Sequence, residues 1–234
     1  MKAIFKKELS GYFNSPIGCI FIGFFIFVTA LTFFFGPIMY QTADMSYVFQ
    51  NFNMMNMFLV SILTMRSFSE ERNKKTDQLL LTAPVSIWDI VLGKYFAAMA
   101  VLGITLLISL IMPLTMFIFG SPSVAECIGS YIGVILLCSV FIAVGMLISS
   151  LTESQIIAAI ITFVVLFLLY NLDSIFGGFS NPVLSGIAGW LSVSRRYSEF
   201  QNGMLNIESI VFYLSYVFLV LFITVRVIDK RRYS

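Results

Sequence analysis

Residues 17–35 read IGCIFIGFFIFVTALTFFF, and no side chain in this run carries a charge. A helix rises 1.5 Å per residue, so such a run crosses the ~30 Å hydrocarbon core of a bilayer. A backbone in hydrocarbon must satisfy its own N–H and C=O groups, and an α-helix does so within one segment. The stretch therefore reads as membrane-spanning, and the rest of the chain is read around it.

Five further runs have the same character: Phe49–Met65, Tyr95–Phe119, Ile128–Ser149, Ile156–Leu172 and Ser209–Val227. The first of these is short and polar at its outer end. Composition agrees. Of 234 residues, 59% are hydrophobic and 11% charged, about half the charge of a soluble domain. Mean hydropathy is +0.95. The expected fold is a single all-α integral membrane domain over 1–234 with six transmembrane helices.

Charge sets the orientation. Lys2, Lys6 and Lys7 precede the first span. Arg66, Arg72, Lys74, Lys75 and Lys94 lie between the second and third. Arg226, Lys230, Arg231 and Arg232 follow the last. Those segments hold 12 of the 14 basic residues, and the opposite side holds only Arg195 and Arg196. The positive-inside rule places both termini and the 66–94 loop in the cytoplasm, in a multi-pass protein of the cell membrane. A basic start before an apolar run also fits a signal peptide. The run is long and ends in no small-residue cleavage site, so it reads as a retained first helix.

Net charge of +2 gives no sign of a nucleic-acid partner. Cys19, Cys127 and Cys138 are odd in number, and two lie in apolar runs, which disfavours a disulfide framework. There is no histidine, which removes the commonest general base and metal ligand. No catalytic residue, metal ligand or bound cofactor is expected. An intramembrane enzyme would need a nucleophile–base pair or paired carboxylates at depth, and neither is present.

Three segments carry mechanism. In 1–16, Ile4, Phe5, Leu9, Tyr12 and Phe13 fall roughly on one helical face, with Lys2, Lys6, Lys7 and Ser10 elsewhere. This fits an amphipathic helix at the cytoplasmic interface with its lysines at anionic headgroups, or a generic anchor. Asn14-Ser15-Pro16 then turns the chain into the first span. In the 66–94 loop, Ser69 fits a helix cap with Glu70 and Glu71 in the first turn and Leu79, Leu80 and Leu81 further along the same short helix. Ala83-Pro84 ends it, and Ser86 fits the cap of the next helix, with Ile87, Ile90 and Val91 on its face. A charged, capped helix with an apolar tip suits docking into a soluble partner; otherwise it is a solvated face. The long outer stretch Asp173–Glu208 is apolar yet broken by glycine and proline. It fits either a re-entrant segment between spans five and six or a loop anchored by Trp190.

Glu70-Glu71-Arg72, Thr76, Leu79-Leu80, Pro84-Val85-Ser86 and Gly93-Lys94 together resemble the intracellular loop of type-two ABC exporter permeases. They are most similar to the branch that includes gliding-motility and copper-processing permeases. The resemblance extends more weakly over nearly the whole chain. It implies a coupling helix over Glu70–Leu81, with Glu70, Glu71, Arg72, Thr76, Leu79, Leu80 and Pro84 at the ATP-binding subunit. It also implies a second, smaller cytoplasmic contact at Ser149–Ser154 through Ser150, Thr152 and Glu153. Partners implied are two copies of an ATP-binding subunit, which hold ATP and magnesium, a second copy of this chain, and membrane lipid.

On the second span, Gln50, Asn53, Asn56 and Thr64 recur near helical spacing. Gln155, Thr162 and Tyr170 make a sparser stripe on the fifth. Polar groups at membrane depth face a partner helix or water, not lipid. The resemblance implies that these spans meet around a dimer axis and line the substrate path through Asn53, Asn56, Thr64, Gln155 and Thr162. Interhelical hydrogen bonding alone is the other reading. Met54, Met55 and Met57 would supply either an adaptable lining or ordinary packing.

Energy comes from elsewhere. No charge lies within the spans apart from Arg226 at the end of the sixth, which argues against ion-coupled transport. No phosphate-binding glycine loop is present. The expected function is the permease subunit of an ATP-driven exporter for a hydrophobic or amphipathic substrate such as a peptide, lipid or drug-like molecule. The alternative is a permease-like scaffold or immunity protein that binds a ligand without moving it.

Overall fold

The computed structural model describes residues 1–40, 46–76, 85–119, 123–176 and 192–232, and among these there is no strand. Helix α1 (Lys2–Asn14) stops at Ser15, whose backbone is extended, and α2 (Pro16–Phe33) starts with its proline at the first helical position. A residue before proline avoids the helical region, and proline suits a helix start, so the expected break falls where expected. Helix α2 continues into a π-turn, Phe34–Ile38, around Pro37, whose missing N–H opens the ladder.

Helix α3 (Ser46–Asn73) is continuous through the second apolar run and about two turns beyond it. Helices α4 (Ile87–Ser109) and α5 (Ile111–Phe119) follow each other across Leu110. Pro113 provides no N–H for the Ser109 carbonyl, which accounts for the break. Then come α6 (Val124–Leu151), α7 (Gln155–Tyr170), the short α8 (Leu172–Phe176), α9 (Val193–Gln201) and α10 (Ile207–Arg232).

Four of these stretches are long and apolar enough to cross a membrane: Pro16–Ile38, Ile87–Ile118, Val124–Leu151 and Ile207–Arg231. The other two expected spans differ from them for opposite reasons. Helix α3 is long but interrupted by polar side chains, and α7 is apolar but ends at Tyr170.

Helix α6 is the axis of the bundle. It is 78% buried over its apolar window, whereas the other three spanning helices are mostly open on their outer sides. It packs on α3, α10, α9, α7 and α4. Small residues allow this close approach. A Cβ on Gly133 would lie 2.8 Å from Phe200 Cβ, one on Gly129 would overlap the Phe200 carbonyl oxygen, and one on Gly145 would overlap the Thr64 hydroxyl. The outward faces carry Ile20, Phe27, Ile118, Ile156, Ile160 and Phe218. Water does not tolerate such a surface, and lipid does.

Two expectations about local structure change. Ser69 is not a helix cap. It lies inside α3, fully buried, and its hydroxyl donates to the Met65 carbonyl of the preceding turn. Nor do Glu70 and Leu81 share one helix. Helix α3 ends at Asn73, with Lys75 left-handed at φ 54. The Lys75 N–H donates to the Arg72 carbonyl at 3.1 Å and the Thr76 N–H to the Glu71 carbonyl at 2.9 Å. That is a Schellman stop, formed here without glycine. Residues 77–84, including Leu79, Leu80, Leu81 and Pro84, lie outside the described residues.

Candidate functional site

One end of the bundle gathers the N-terminus of α1, the C-terminus of α3, the start of α4 and the α6–α7 turn. At its centre is Lys94, about two turns into α4 and only 2% exposed. Its Nζ donates to Ser67 O at 2.7 Å and to Glu8 Oε1 at 2.9 Å, and lies 3.1 Å from Glu71 Oε1. It also sits 5.2 Å above the Phe68 ring. One ammonium thus joins α1, α3 and α4. An ammonium in so dry a place needs several oxygens, and it has three.

Helix α1 reaches this position because Ile4, Phe5, Leu9 and Tyr12 pack on the core, with Ile4 pressed over Gly93. The expected apolar face is buried mainly on protein, with Phe13 left outward. Tyr12 Oη donates to Leu63 O at 3.3 Å, and Arg66 donates to Ser15 Oγ at 2.7 Å. Glu71 is therefore turned inward, and Lys7 reaches it from the surface at 3.6 Å. Glu70 pairs with Arg66 at 3.0 Å and Lys74 at 2.8 Å. Partial burial alone would raise its carboxyl. The Lys74 hydrogen bond and the charges of Arg66, Lys74 and Lys94 outweigh that and hold it below its ordinary value.

Of the first cytoplasmic contact expected from sequence, Glu70–Leu81 with Pro84, the described part, 70–76, lies beside the second, 149–154. Arg72 pairs with Glu153 at 2.7 Å and donates to Leu151 O at 3.0 Å, and Asn73 donates to Glu153 O at 3.5 Å. Beneath them, the Ser149 hydroxyl accepts from the N–H groups of Phe68 and Ser69 at 3.0 and 3.1 Å and donates to Met65 O at 3.0 Å. A side chain inserted into a helix ladder is a recurrent cause of bending. Ser150 is buried and its hydroxyl donates to Leu147 O at 2.6 Å, while that of Thr152, just past the helix, donates to Ile148 O at 3.2 Å. Thr76 is exposed at the tip. Ser86 caps α4 as expected, its hydroxyl accepting from Asp89 N at 3.1 Å.

The polar stripes of α3 and α7 meet within one chain. Asn53 donates to Tyr170 Oη at 2.8 Å. Asn56 is fully buried, and among the described residues neither atom of its amide has a partner; nor do Asn53 Oδ1 and Thr162 Oγ1. Thr64 bonds Val60 O of its own helix at 2.8 Å. Thr64 and Thr162 converge over Gly145. Gln155 lies apart at the start of α7, half-buried, and Gln50 is exposed. Met54 points outward while Met55 and Met57 are buried.

At the opposite end, α9 lies on α6 through Val193, Tyr197 and Phe200. Tyr197 Oη donates to Phe49 O at 3.3 Å and Tyr213 Oη to Val193 O at 2.8 Å. Of the stretch Asp173–Glu208, 173–176 belong to α8 and Val193–Gln201 form an amphipathic helix across the bundle end; 177–191 lies outside the described residues.

Sequence reading missed Lys94 as an interior group and Ser149 as a bridge. In the sequence Lys94 counts toward topology and, with Gly93, toward the family resemblance, and neither use places it in the interior. The available signal was Gly93-Lys94 within an apolar helix start, where a cation must find anions. No partner was predictable, because Glu8 and Glu71 come from elements distant in sequence.

The family model described as ABC-2 family transporter protein matches residues 2–225. No curated protein matches the chain.

Proposed function

The chain belongs to the ABC-2 family of transporter proteins, and from that membership we propose that it is the permease subunit of an ATP-driven exporter. In this reading α3 and α7 with α8 complete a set of six spans. Two copies of the chain, with two ATP-binding subunits, enclose the route. ATP and magnesium are held by the partner subunits. The basic end faces the cytoplasm, with both termini on that side of the cell membrane. The cargo is hydrophobic or amphipathic, a peptide, a lipid or a drug-like molecule, in keeping with an interior seam that is polar but uncharged.

The observation that carries the reading is the Arg72–Glu153 pair. It fuses the end of α3 with the α6–α7 turn into one charged platform. Exposed ion pairs add little stability, and a platform made of a helix end and a turn gives a soluble subunit something to grip. The buried Lys94 cluster would pass a push on that platform to α1 and α4 together. The α3–α7 seam, where Asn56 and Thr162 have no partner among the described residues, is the surface expected to part and expose the route, since unpaired polar groups gain hydrogen bonds once hydrated.

The test is co-expression with an ATP-binding subunit, followed by the mass of the purified complex and ATP-dependent uptake of labelled amphipathic peptides into inside-out vesicles. A two-plus-two complex with uptake abolished in an ATPase-dead partner supports the proposal. A complex that forms and hydrolyses ATP but protects cells equally well with the dead partner would instead make it a scaffold.

A further inference from the structure

Helices α1 and α4 leave a cleft of about 480 Å³ between them at the basic end. Met1, Lys2 and Phe5 form one wall, and Phe96, Met99 and Ala100 form the other. The cleft is apolar except at its mouth. Phe96 is exposed there and does not fold into the bundle. Asp89, level with the start of α1, is followed by about 16 Å of helix before Ala100. The cleft itself takes up about 6 Å of that rise, from Phe96 to Ala100.

Charge at the mouth is unbalanced. Lys7 and Lys94 are spent on Glu8 and Glu71, and Lys74 on Glu70. Lys2 and Lys6 are exposed, one turn apart, and neither forms an ion pair with another described residue. Asp89, beside Met1 of the cleft wall, is already engaged by the Ser86 hydroxyl at 2.9 Å and by the Met1 amino group at 3.6 Å. Lys2, which lines the cleft, and Lys6, one turn further along α1, therefore bring two ammonium groups without an ion pair among the described residues to the side of an apolar slot.

We propose that this cleft is a binding site for one anionic phospholipid, its acyl chain lying along Phe96, Met99 and Ala100 and its phosphate held by Lys2 and Lys6. The assignment of that lipid to the inner leaflet rests on the topology proposed above; the site itself does not. A lipid held here braces α1 against α4 beside the Lys94 cluster, which makes the cluster's geometry sensitive to the surrounding membrane.

The test uses the purified full chain in non-ionic detergent, so it is independent of orientation in a bilayer. Native mass spectrometry would count adducts with phosphatidylglycerol and phosphatidylcholine of identical chains. One phosphatidylglycerol should be retained preferentially. Lys2→Gln with Lys6→Gln should weaken it on the order of tenfold, to the phosphatidylcholine level. Lys230→Gln, at the far end of the last helix, should change nothing. Ala100→Trp should expel both lipids, and millimolar inorganic phosphate should not compete. Equal retention of the two lipids by the native chain would overturn the proposal. So would a preference that survives loss of both lysines, or displacement by free phosphate.

Discussion

Replacing Lys94 by methionine keeps the length of the side chain and removes its charge. Three oxygens then lose their shared donor: Ser67 O, Glu8 Oε1 and Glu71 Oε1. Breaking a buried ion pair from one side typically costs ~3–5 kcal/mol, because the partner's charge stays behind uncompensated. Glu8 and Glu71 keep 18% and 17% of their side-chain exposure, so some water reaches them and the low end of that range, about 3 kcal/mol, applies. Lys7 is the remaining cation beside Glu71, but at 3.6 Å and well exposed it returns less than about 1 kcal/mol. The assay is unfolding of the purified chain in mixed micelles, followed by circular dichroism. Lys94→Met combined with Glu8→Gln and Glu71→Gln removes the stranded charges and should recover most of the loss. A single variant within about 1 kcal/mol of the native chain would refute the reasoning. So would a triple variant no more stable than the single, since packing and not charge would then be at fault.

Ser149→Ala removes a hydroxyl that serves three backbone groups of α3. It should cost about 1–3 kcal/mol and speed amide exchange at Phe68 and Ser69 specifically. Gly145→Ala drives a methyl into the Thr64 hydroxyl and to 3.2 Å from Thr162 Cγ2. The expected loss is about 1–3 kcal/mol in the same unfolding assay, partly relieved by Thr64→Ala. Asn56→Leu discards an amide with no partner among the described residues. Stability should hold to within about 1 kcal/mol while vesicle uptake falls; unchanged uptake would make the stripe a packing feature.

Much of the fold was legible because lipid imposes simple rules. Charge-free runs of spanning length announced the helices, and the lysine and arginine asymmetry announced that one end differs from the other. Pro16 and Ser86 marked helix starts through local chemistry alone. Asn53, Asn56 and Thr64 of the polar stripe on α3 were readable as inward because polar groups in so apolar a chain seek a partner helix, whereas Gln50 of the same stripe is exposed. Legibility failed where geometry depends on distant partners. Ser69 satisfies every local criterion for a helix cap, yet tertiary packing carries α3 past it, and its hydroxyl bonds inside the helix. The stop at Lys75 uses a left-handed lysine, which no propensity favours. Lys94 carried a plain topological signal and concealed a structural one, because its anions come from α1 and α3. The close approaches at Gly129, Gly133 and Gly145 belong to a surface recognisable only once α6 is known to be the central helix.

The claim on which the rest depends is that a nucleotide-hydrolysing subunit grips the platform at the end of α3. Thr76 is exposed at its tip, and Asn51 is exposed near the opposite end of the same helix. In a chain with Cys19 replaced by serine, Thr76→Cys should cross-link to an ATP-binding subunit carrying a surface cysteine, with a yield that changes on adding ATP, and Asn51→Cys should not. Cross-linking from position 51, or none from position 76 in a complex that hydrolyses ATP, would contradict the account.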